Sequence, residues 1–391
     1  MPPSTESLLQ ALLGGIEREL PRAVALRRRL HADPELAHAE HRTSAAVAGE
    51  LALPSRAAAG TGLIARVGGA GRAVAVRAEL DGLPMAERTG ASFAAPGDAM
   101  HACGHDVHMA ALVSLANAAA SIADELPAPL LAVFQPSEEA YPSGAQELVA
   151  GELGDEALAA MVAAHVHPEL AWGTVGLDAG AVNASCDAVQ ITMEGEATHG
   201  AYPHRGHDPI LAVAQLVVSL HAEAGRRIDP LAAASLTVGV LEGGTAENLI
   251  PERASARAAI RAHRPSDRVA LRQMVREVAD GVAIVHGCRA TVEVLEGEPP
   301  LENDPALTAR ARGLLAGAGL APAPEWRSCG SDDFAFFAAL APLTMAFVGL
   351  DGAEGFHPRP LHHPELLPPD QAVGAVARTQ AVLYLAGAGR A

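Results

Sequence analysis

The sequence predicts an α/β protein, in which a larger domain is built on a mostly parallel sheet and carries an inserted ferredoxin-like α+β domain. Three observations support this prediction. The chain has 391 residues, which is too long for one ordinary core. Strand and helix patterns alternate over most of it, and a middle segment instead shows the order β-α-β-β-α-β. We place the larger domain at 1–183 and 295–391, and the inserted domain at 184–294.

In the larger domain, leucine and isoleucine at helical spacing predict a first helix over 5–30. It ends where Pro34 keeps Asp33 out of the helical conformation. Strands that alternate with helices indicate a mostly parallel sheet covered on both faces. The further elements are predicted strands at 62–67, 73–80, 129–135, 160–166 and 343–350, and helices at 105–122, near 144–151 and from about Pro369.

In the inserted domain, strand and helix patterns follow one another in the order of a ferredoxin-like sandwich. The segment DAVQITMEG alternates apolar and polar residues, which is typical of a half-buried strand. The predicted elements are a strand at 187–195, a helix at 209–222, strands at 234–243 and 255–262, a helix at 267–285 and a strand at 290–297.

Composition excludes several classes of protein. A formal charge of −18 without a long basic run argues against binding to nucleic acid or to an anionic membrane. The chain has no lysine, so all 28 basic residues are arginine and lysine Schiff-base or P-loop chemistry is impossible. No apolar run is long enough to span a membrane and no export signal is visible, so we expect a cytoplasmic protein.

The densest group of chemically reactive side chains lies in MHACGHDVHMA, at the start of a predicted helix. A thiol, imidazoles and a carboxylate crowded into one loop suit a borderline-soft divalent metal. The alternative is a polar loop whose histidines are solvated or cap the helix. The residues concerned are His101, Cys103, His105, Asp106 and His108.

Three further polar pairs follow predicted strands of the same sheet. Ligands of open α/β sheets bind beyond the carboxyl ends of the strands, so these pairs are expected to converge. Each pair alone could belong to a solvated loop, and a His-His pair in PLHHPELL would alone be assigned to the surface. The strand-end pairs are Glu79 and Asp81, Glu138 and Glu139, and His165 and His167.

Taken together, the chain resembles the aminoacylase and carboxypeptidase-type zinc peptidases. The resemblance is to the amidohydrolase branch, which contains hippurate hydrolases, indole-acetyl-amino-acid hydrolases and N-acyl-L-amino-acid amidohydrolases. It runs nearly end to end. The motifs that carry it, in the order of the family, are HADPEL, RAELDGLP, MHACGHDVH, QPSEEA, HVHP, THGAYPH, ENLIP, AIR, GSDDF and LHHP.

The resemblance implies two divalent metal ions per subunit, for which zinc, manganese, cobalt and nickel are all suitable. It implies that Cys103 is a bridging thiolate, that Glu138 is the general base, and that the carboxylate of Asp81 orients an imidazole ligand. The implied metal ligands are Cys103, His105, Glu139, His165 and His362.

For the inserted domain the resemblance implies a lid and dimerisation role. In relatives the histidine that corresponds to His199 reaches the active site of the partner subunit, which implies a homodimer. His199 is a candidate oxyanion donor. Asn248 and Arg261 are candidates for holding a substrate carboxylate. His204 is either a further substrate-binding residue or a surface residue.

The implied activity is hydrolysis of the amide bond of N-acyl amino acids, such as hippurate-like or acetyl-amino-acid substrates, by a metal-activated water. One alternative is a dipeptidase or carboxypeptidase on the same scaffold. Another is a non-catalytic metal-binding protein, against which the non-ligating Glu138 argues. Two departures stand out, because the family usually has aspartate at the position of Glu79 and Glu-Asp at the positions of Asp332 and Asp333.

Overall fold

The computed structural model describes residues 3–389 and divides into two compact units. The first unit extends to Gly180 and includes Glu302–Trp326 and the chain from Phe336 onward. The second unit comprises Ala181–Leu301 and Arg327–Ala335. Residues 181–183, 295–301 and 327–335, which we assigned to the larger domain, therefore cluster with the second unit. The outermost positions of the predicted larger domain, 1–2 and 390–391, lie outside the described residues.

The helices and strands are numbered in chain order. The helices are α1 Thr5–Ala32, α2 His41–Glu50, α3 His105–Ala120, α4 Gly144–Ala150, α5 Pro209–Arg227, α6 Pro265–His286, α7 Pro305–Leu314 and α8 Gln371–Ala388. The strands are β1 Ser55–Ala58, β2 Gly62–Val67, β3 Ala73–Glu79, β4 Leu130–Gln135, β5 Leu158–Ala171, β6 Thr174–Gly176, β7 Gly180–Asn183, β8 Ser185–Glu194, β9 Thr198–His199, β10 Ala234–Gly243, β11 Leu249–Ile250, β12 Arg253–Ala262, β13 Arg289–Glu296, β14 Leu301–Asn303, β15 Ala321–Pro322 and β16 Leu343–Asp351.

The first unit contains an eight-stranded sheet in the order β1-β2-β4-β3-β5-β16-β6-β15. Its centre, β4-β3-β5-β16, is parallel throughout. The β1-β2, β2-β4 and β16-β6 pairs are antiparallel. The prediction of a mostly parallel sheet is therefore confirmed, and the carboxyl ends of the four central strands lie along one edge.

The central strands are buried on both faces, which explains their nearly continuous apolar sequences. All seven residues of β3 and all six of β4 are buried. Helices α1, α3, α7 and α8 contribute apolar side chains to the same core as the strands. Helix α1 is capped by the Ser4 hydroxyl, which accepts a hydrogen bond from the Ser7 N–H at 3.1 Å, and it ends just before Pro34 as predicted.

The second unit has the predicted ferredoxin-like organisation. Its antiparallel sheet has the order β10-β12-β8-β13, and α5 and α6 lie between the strands in sequence. Apolar residues of both helices pack with one set of alternating strand residues, including Val189 and Ile191 of β8. The alternation that predicted β8 therefore reflects one face on the core.

Several details of the first unit differ from the predictions, and its short strands β1, β6 and β15 were not predicted. The strand predicted at 160–166 continues to Ala171, so His165 and His167 lie within β5 rather than after it. Helices α2 and α7 were not predicted.

No helix within residues 3–389 combines the length and the apolar character needed to cross a membrane.

Candidate metal centre

The loop between Met100 and α3 brings two predicted ligands to the start of the helix. Gly104 has φ +85°, a left-handed conformation that favours glycine, and α3 begins at His105. A Cβ atom at Gly104 would lie 2.5 Å from Val166 Cγ2 of β5, so a side chain is also sterically excluded there. Cys103 and His105 are both buried and flank this glycine.

His165 is oriented by a backbone hydrogen bond. Its Nδ1 donates to the Val166 carbonyl at 2.7 Å, which leaves Nε2 unprotonated and 3.4 Å from Cys103 Sγ. Burial holds the pKa of His165 well below its usual value. The imidazole is therefore neutral, which is the form that binds a metal. Strand β5 continues past His165, but its last residue paired with β3 is Ala163. His165 therefore lies just beyond the paired part of β3 and β5.

His105 presents a lone pair to the same region. Its Nδ1 donates to the Asp81 carbonyl at 2.8 Å, while Asp81 Oδ1 is 3.7 Å away. Among the described residues, the buried Nε2 has no hydrogen-bond partner. Burial alone would lower the pKa of His105, but the Glu79 and Asp81 carboxylates outweigh it and the pKa is raised. Surroundings that favour a proton at this nitrogen also favour a metal cation.

The Asp81 carboxylate has a different contact from the one we predicted. Its two oxygens accept the backbone N–H groups of Glu138 at 3.1 Å and of Glu139 at 2.9 Å. Burial raises the pKa of Asp81, against the effects of His105 and of these two N–H donors. The Asp81 carboxylate thus fixes the turn that contains Glu138 and Glu139. The imidazole of His105 is oriented by the Asp81 backbone carbonyl instead.

Glu139 and His362 are brought together by this turn and a distant loop. His362 Nε2 lies 3.2 Å from Glu139 Oε1, and the His362 N–H donates to the Ala102 carbonyl at 2.9 Å. Burial raises the pKa of Glu139, but the neighbouring imidazoles of His362 and His105 reverse this, so the pKa is lowered. Cys103, His105 and Glu139 each place a possible ligand atom within 4.8 Å of the others.

The five predicted ligands therefore lie together, and the thiol, imidazole and carboxylate donors suit borderline divalent metals. Glu138 stands beside them, with Oε2 3.9 Å from His105 Nε2. His363 is not part of the group, because its Nδ1 accepts the Glu365 N–H at 3.1 Å. His167 instead packs its ring 4.6 Å from that of Trp326.

A second group of possible ligands, formed by Glu79, His105, His108 and His165, is also compact. Two of its members are already engaged. His108 Nδ1 donates to Glu79 Oε2 at 2.8 Å, and His108 Nε2 accepts the Val166 N–H at 3.0 Å. Glu79 Oε1 accepts from the buried Arg77 guanidinium. The ligand atoms of Glu79 and His108 are thus hydrogen-bonded to each other, to Arg77 and to the Val166 backbone.

The sequence analysis did not identify the support supplied by Arg77. Its Nε donates to Gln135 Oε1 at 2.8 Å, and its side chain is almost fully buried. Burial would raise the pKa of Glu79, but Arg77 and two histidines hold it well below its usual value. An arginine inside the otherwise apolar AVAVRAEL run was the available signal, because a buried charge requires a partner.

In the second unit, His199 and Asn248 lie on paired segments. Leu249 of β11 pairs with His199 of β9, and the Asn248 carbonyl accepts the Gly200 N–H at 2.7 Å. The Ala201 N–H donates to His199 Nδ1 at 3.0 Å, so the ring proton is on Nε2. His199 is exposed, and this N–H can therefore donate a hydrogen bond. This tautomer is the one that an oxyanion donor needs.

Arg261 and His204 occupy other parts of the second unit. Arg261 Nη1 donates to the Cys329 carbonyl at 2.9 Å. His204 is exposed, and its ring lies 6.4 Å from that of Tyr202. Asp332 and Asp333 are buried, and Asp332 Oδ1 accepts the Phe334 N–H at 2.8 Å.

Comparisons with known proteins agree with this chemistry. Residues 75–382 match the model of peptidase family M20/M25/M40. The chain is similar to an N-acetyl-L-cysteine deacetylase of Bacillus subtilis strain 168, with 34% identity over 88% of this chain and 83% of that protein. It is also similar to an N-acetyldiaminopimelate deacetylase of Bacillus pumilus, with 31% identity over 94% of this chain and 98% of that protein.

A solved structure gives the same result for the fold. The YXEP protein of Bacillus subtilis, a dinuclear metal binding peptidase from the M20 family, aligns with a TM-score of 0.82 and 27% identity. The alignment covers 94% of this chain and 98% of that one. The resemblance inferred from the motifs is therefore confirmed, and this protein belongs to peptidase family M20/M25/M40.

Proposed function

We propose that this protein removes a short acyl group from the amino nitrogen of a small N-acyl amino acid, and that acetyl is the preferred acyl group. The reaction class predicted from the sequence, metal-dependent amide hydrolysis, is supported by the deacetylase relatives. The observation that carries the proposal is the convergence of a thiol, three imidazoles and a carboxylate beside a further carboxylate. They are Cys103, His105, His165, His362, Glu139 and, beside them, Glu138.

Two divalent ions held by these side chains would lower the pKa of water and polarise the amide carbonyl. Glu138 then takes the proton of the attacking water and returns it to the leaving amine. Glu138 suits this role because its neighbour Glu139 faces His362, while its own backbone N–H is fixed by Asp81. A general base needs a fixed position within reach of the attacking water.

We assign the remaining substrate contacts to the second unit. His199 donates from Nε2 to the oxyanion, and Asn248 and Arg261 hold the carboxylate of the amino acid. Arg261 donates from Nη1 to the Cys329 carbonyl, which fixes its guanidinium for this role. The role of His204, the homodimer, the cytoplasmic location and the choice among zinc, manganese, cobalt and nickel stay predictions.

The test is a substrate panel on the protein reconstituted with each of the four metals. We expect N-acetyl amino acids or hippurate to be hydrolysed with a higher kcat/KM than dipeptides. Preference for dipeptides would favour a peptidase instead. Two bound metal ions with no hydrolysis of either class would favour a non-catalytic metal-binding protein. The matched control is Glu138→Gln, which should retain metal but not activity.

A further inference from the structure

Arg27 of α1 is a charged residue in the interior of the first unit. Its side chain is 1% exposed, and all three guanidinium nitrogens donate hydrogen bonds. Nε donates to Asp106 Oδ2 at 2.7 Å, Nη1 to Asp370 Oδ1 at 3.0 Å and Nη2 to the Pro368 carbonyl at 2.9 Å. Burial of a guanidinium is costly unless it is fully paired, so these three contacts belong together.

The acceptors of Arg27 belong to the two segments that carry predicted metal ligands at opposite ends of the chain. Asp106 directly follows His105 in the first turn of α3. Pro368 and Asp370 lie at the end of the segment that connects β16 to α8, and this segment contains His362. Arg27 therefore binds both segments at once with one rigid, planar group.

A second residue of α1, His31, also contacts the Asp106 carboxylate. His31 lies one turn after Arg27, and its Nδ1 is 2.9 Å from Asp106 Oδ2. Its Nε2 is 3.1 Å from Glu87 Oε1. Asp106 is fully buried and receives both contacts from α1. The first turn of α3 is consequently fixed against α1, and the Arg27 guanidinium extends that fixed frame to the C-terminal segment.

The C-terminal segment needs such support. His362 has φ +63°, a left-handed conformation that non-glycine residues rarely adopt and that persists only when surrounding contacts enforce it. One contact is the hydrogen bond from the His362 N–H to the Ala102 carbonyl. The Arg27 bonds to Pro368 and Asp370 anchor the segment at its other end.

We propose that Arg27 is a positioning residue of the metal centre, which fixes the segment bearing His362 against the loop bearing Cys103 and His105. This inference rests on the proposed function, because it takes those residues to be metal ligands. Without Arg27 the segment would lose its two hydrogen bonds from α1's buried guanidinium, so metal binding would have to supply more of its ordering, and that cost would reduce affinity. Side chains that hydrogen-bond metal ligands directly contribute about 10- to 100-fold in metal affinity, and Arg27 acts one contact further out, on the segments that carry the ligands.

The chain offers a matched control for the test. Arg28 is the next residue of α1 and also bonds Asp370, with Nε 3.1 Å from Oδ2, but its side chain is half exposed. Among the described residues, Asp370 is its hydrogen-bonding partner, whereas Arg27 also binds Asp106 and Pro368. Arg28→Met thus removes an arginine–aspartate pair without separating the two ligand segments.

Metal-free wild type, Arg27→Met and Arg28→Met should be titrated with Mn²⁺, with hydrolysis of an N-acetyl amino acid followed at each concentration. We expect Arg27→Met to bind at least one ion about 10- to 100-fold more weakly, with activity restored by excess Mn²⁺. Arg28→Met should behave as wild type. Restoration by metal distinguishes positioning from a general loss of stability. Wild-type affinity in Arg27→Met, or a loss of activity that metal does not restore, would overturn the proposal.

A second variant decides the matter if Arg27→Met does not fold. Asp370 is partly exposed and its side chain makes no capping hydrogen bond to α8, so Asp370→Ala should fold. We expect a smaller loss of Mn²⁺ affinity in the same direction, and unchanged affinity would contradict the positioning role. A wild-type protein that binds no Mn²⁺ and hydrolyses no substrate would instead refute the proposed function itself.

Discussion

Removal of the His31 side chain should make the stability of the first unit less dependent on pH. His31 is fully buried between Asp106 and Glu87, with the Phe93 ring edge-on at 5.4 Å. Burial and the charge of Arg27 lower its pKa, but the two carboxylates more than compensate and raise the pKa from 6.5 to about 9. The folded protein therefore binds a proton here more tightly than the unfolded chain does.

The size of the effect follows from the two pKa values. A difference of about 2.5 corresponds to about 3 kcal/mol, since each pKa unit is worth about 1.4 kcal/mol. Because the folded-state pKa is raised, this contribution is fully present below about pH 6.5. It is lost as the pH rises through about 9. We expect His31→Gln to lack this contribution and therefore to be most strongly destabilised, relative to wild type, at low pH.

The assay is urea unfolding of the metal-free protein at pH 6, 7.5 and 9.5. Trp172 and Trp326 are the two tryptophans of the chain and both belong to the first unit, so their fluorescence follows the unfolding of that unit. His221→Gln, which replaces an exposed histidine of α5, controls for loss of a histidine as such. A difference between His31→Gln and wild type that stays constant across the three pH values would refute the reasoning.

Three further variants test the site. Glu138→Gln should lower kcat by about 10²- to 10⁴-fold while Mn²⁺ affinity in a titration stays unchanged, and weakened metal binding would instead identify Glu138 as a ligand. His199→Ala should lower kcat by about 10²- to 10³-fold with normal metal content by elemental analysis, and full activity would contradict an oxyanion role. Glu79→Gln leaves the buried Arg77 without its counter-charge and should lower the free energy of unfolding by about 3–5 kcal/mol, so unchanged urea stability would rule out this pairing.

The sequence predicted the elements that are long and uniformly buried. Strand β2 matches its prediction at both ends, and β3 and β4 differ by one residue, because buried parallel strands are continuous apolar runs bounded by turn residues. Helix α2 was missed for a physical reason. Its sequence HRTSAAVAGE has little apolar periodicity, and the side chain of its N-cap residue, Glu40, makes no capping hydrogen bond.

Some of the candidate site residues could be placed together from the sequence because their position is topological. Side chains that follow parallel strands reach one edge of the sheet whatever the details of packing, and that argument covers Asp81, Glu138 and Glu139. Arg27 could not be found this way. Its partners Asp106 and Asp370 are 79 and 343 positions away in sequence, and no local pattern joins an arginine on a first helix to either of them.

The departure at Glu79 shows how a substitution near a metal centre can be accommodated without touching the metal ligands. Its carboxylate reaches His108 Nδ1 on one side and Arg77 on the other, so the longer side chain is fully used. His108 in turn fixes the Val166 N–H, next to His165. The carboxylate therefore acts on His165 through the His108 imidazole and a strand backbone.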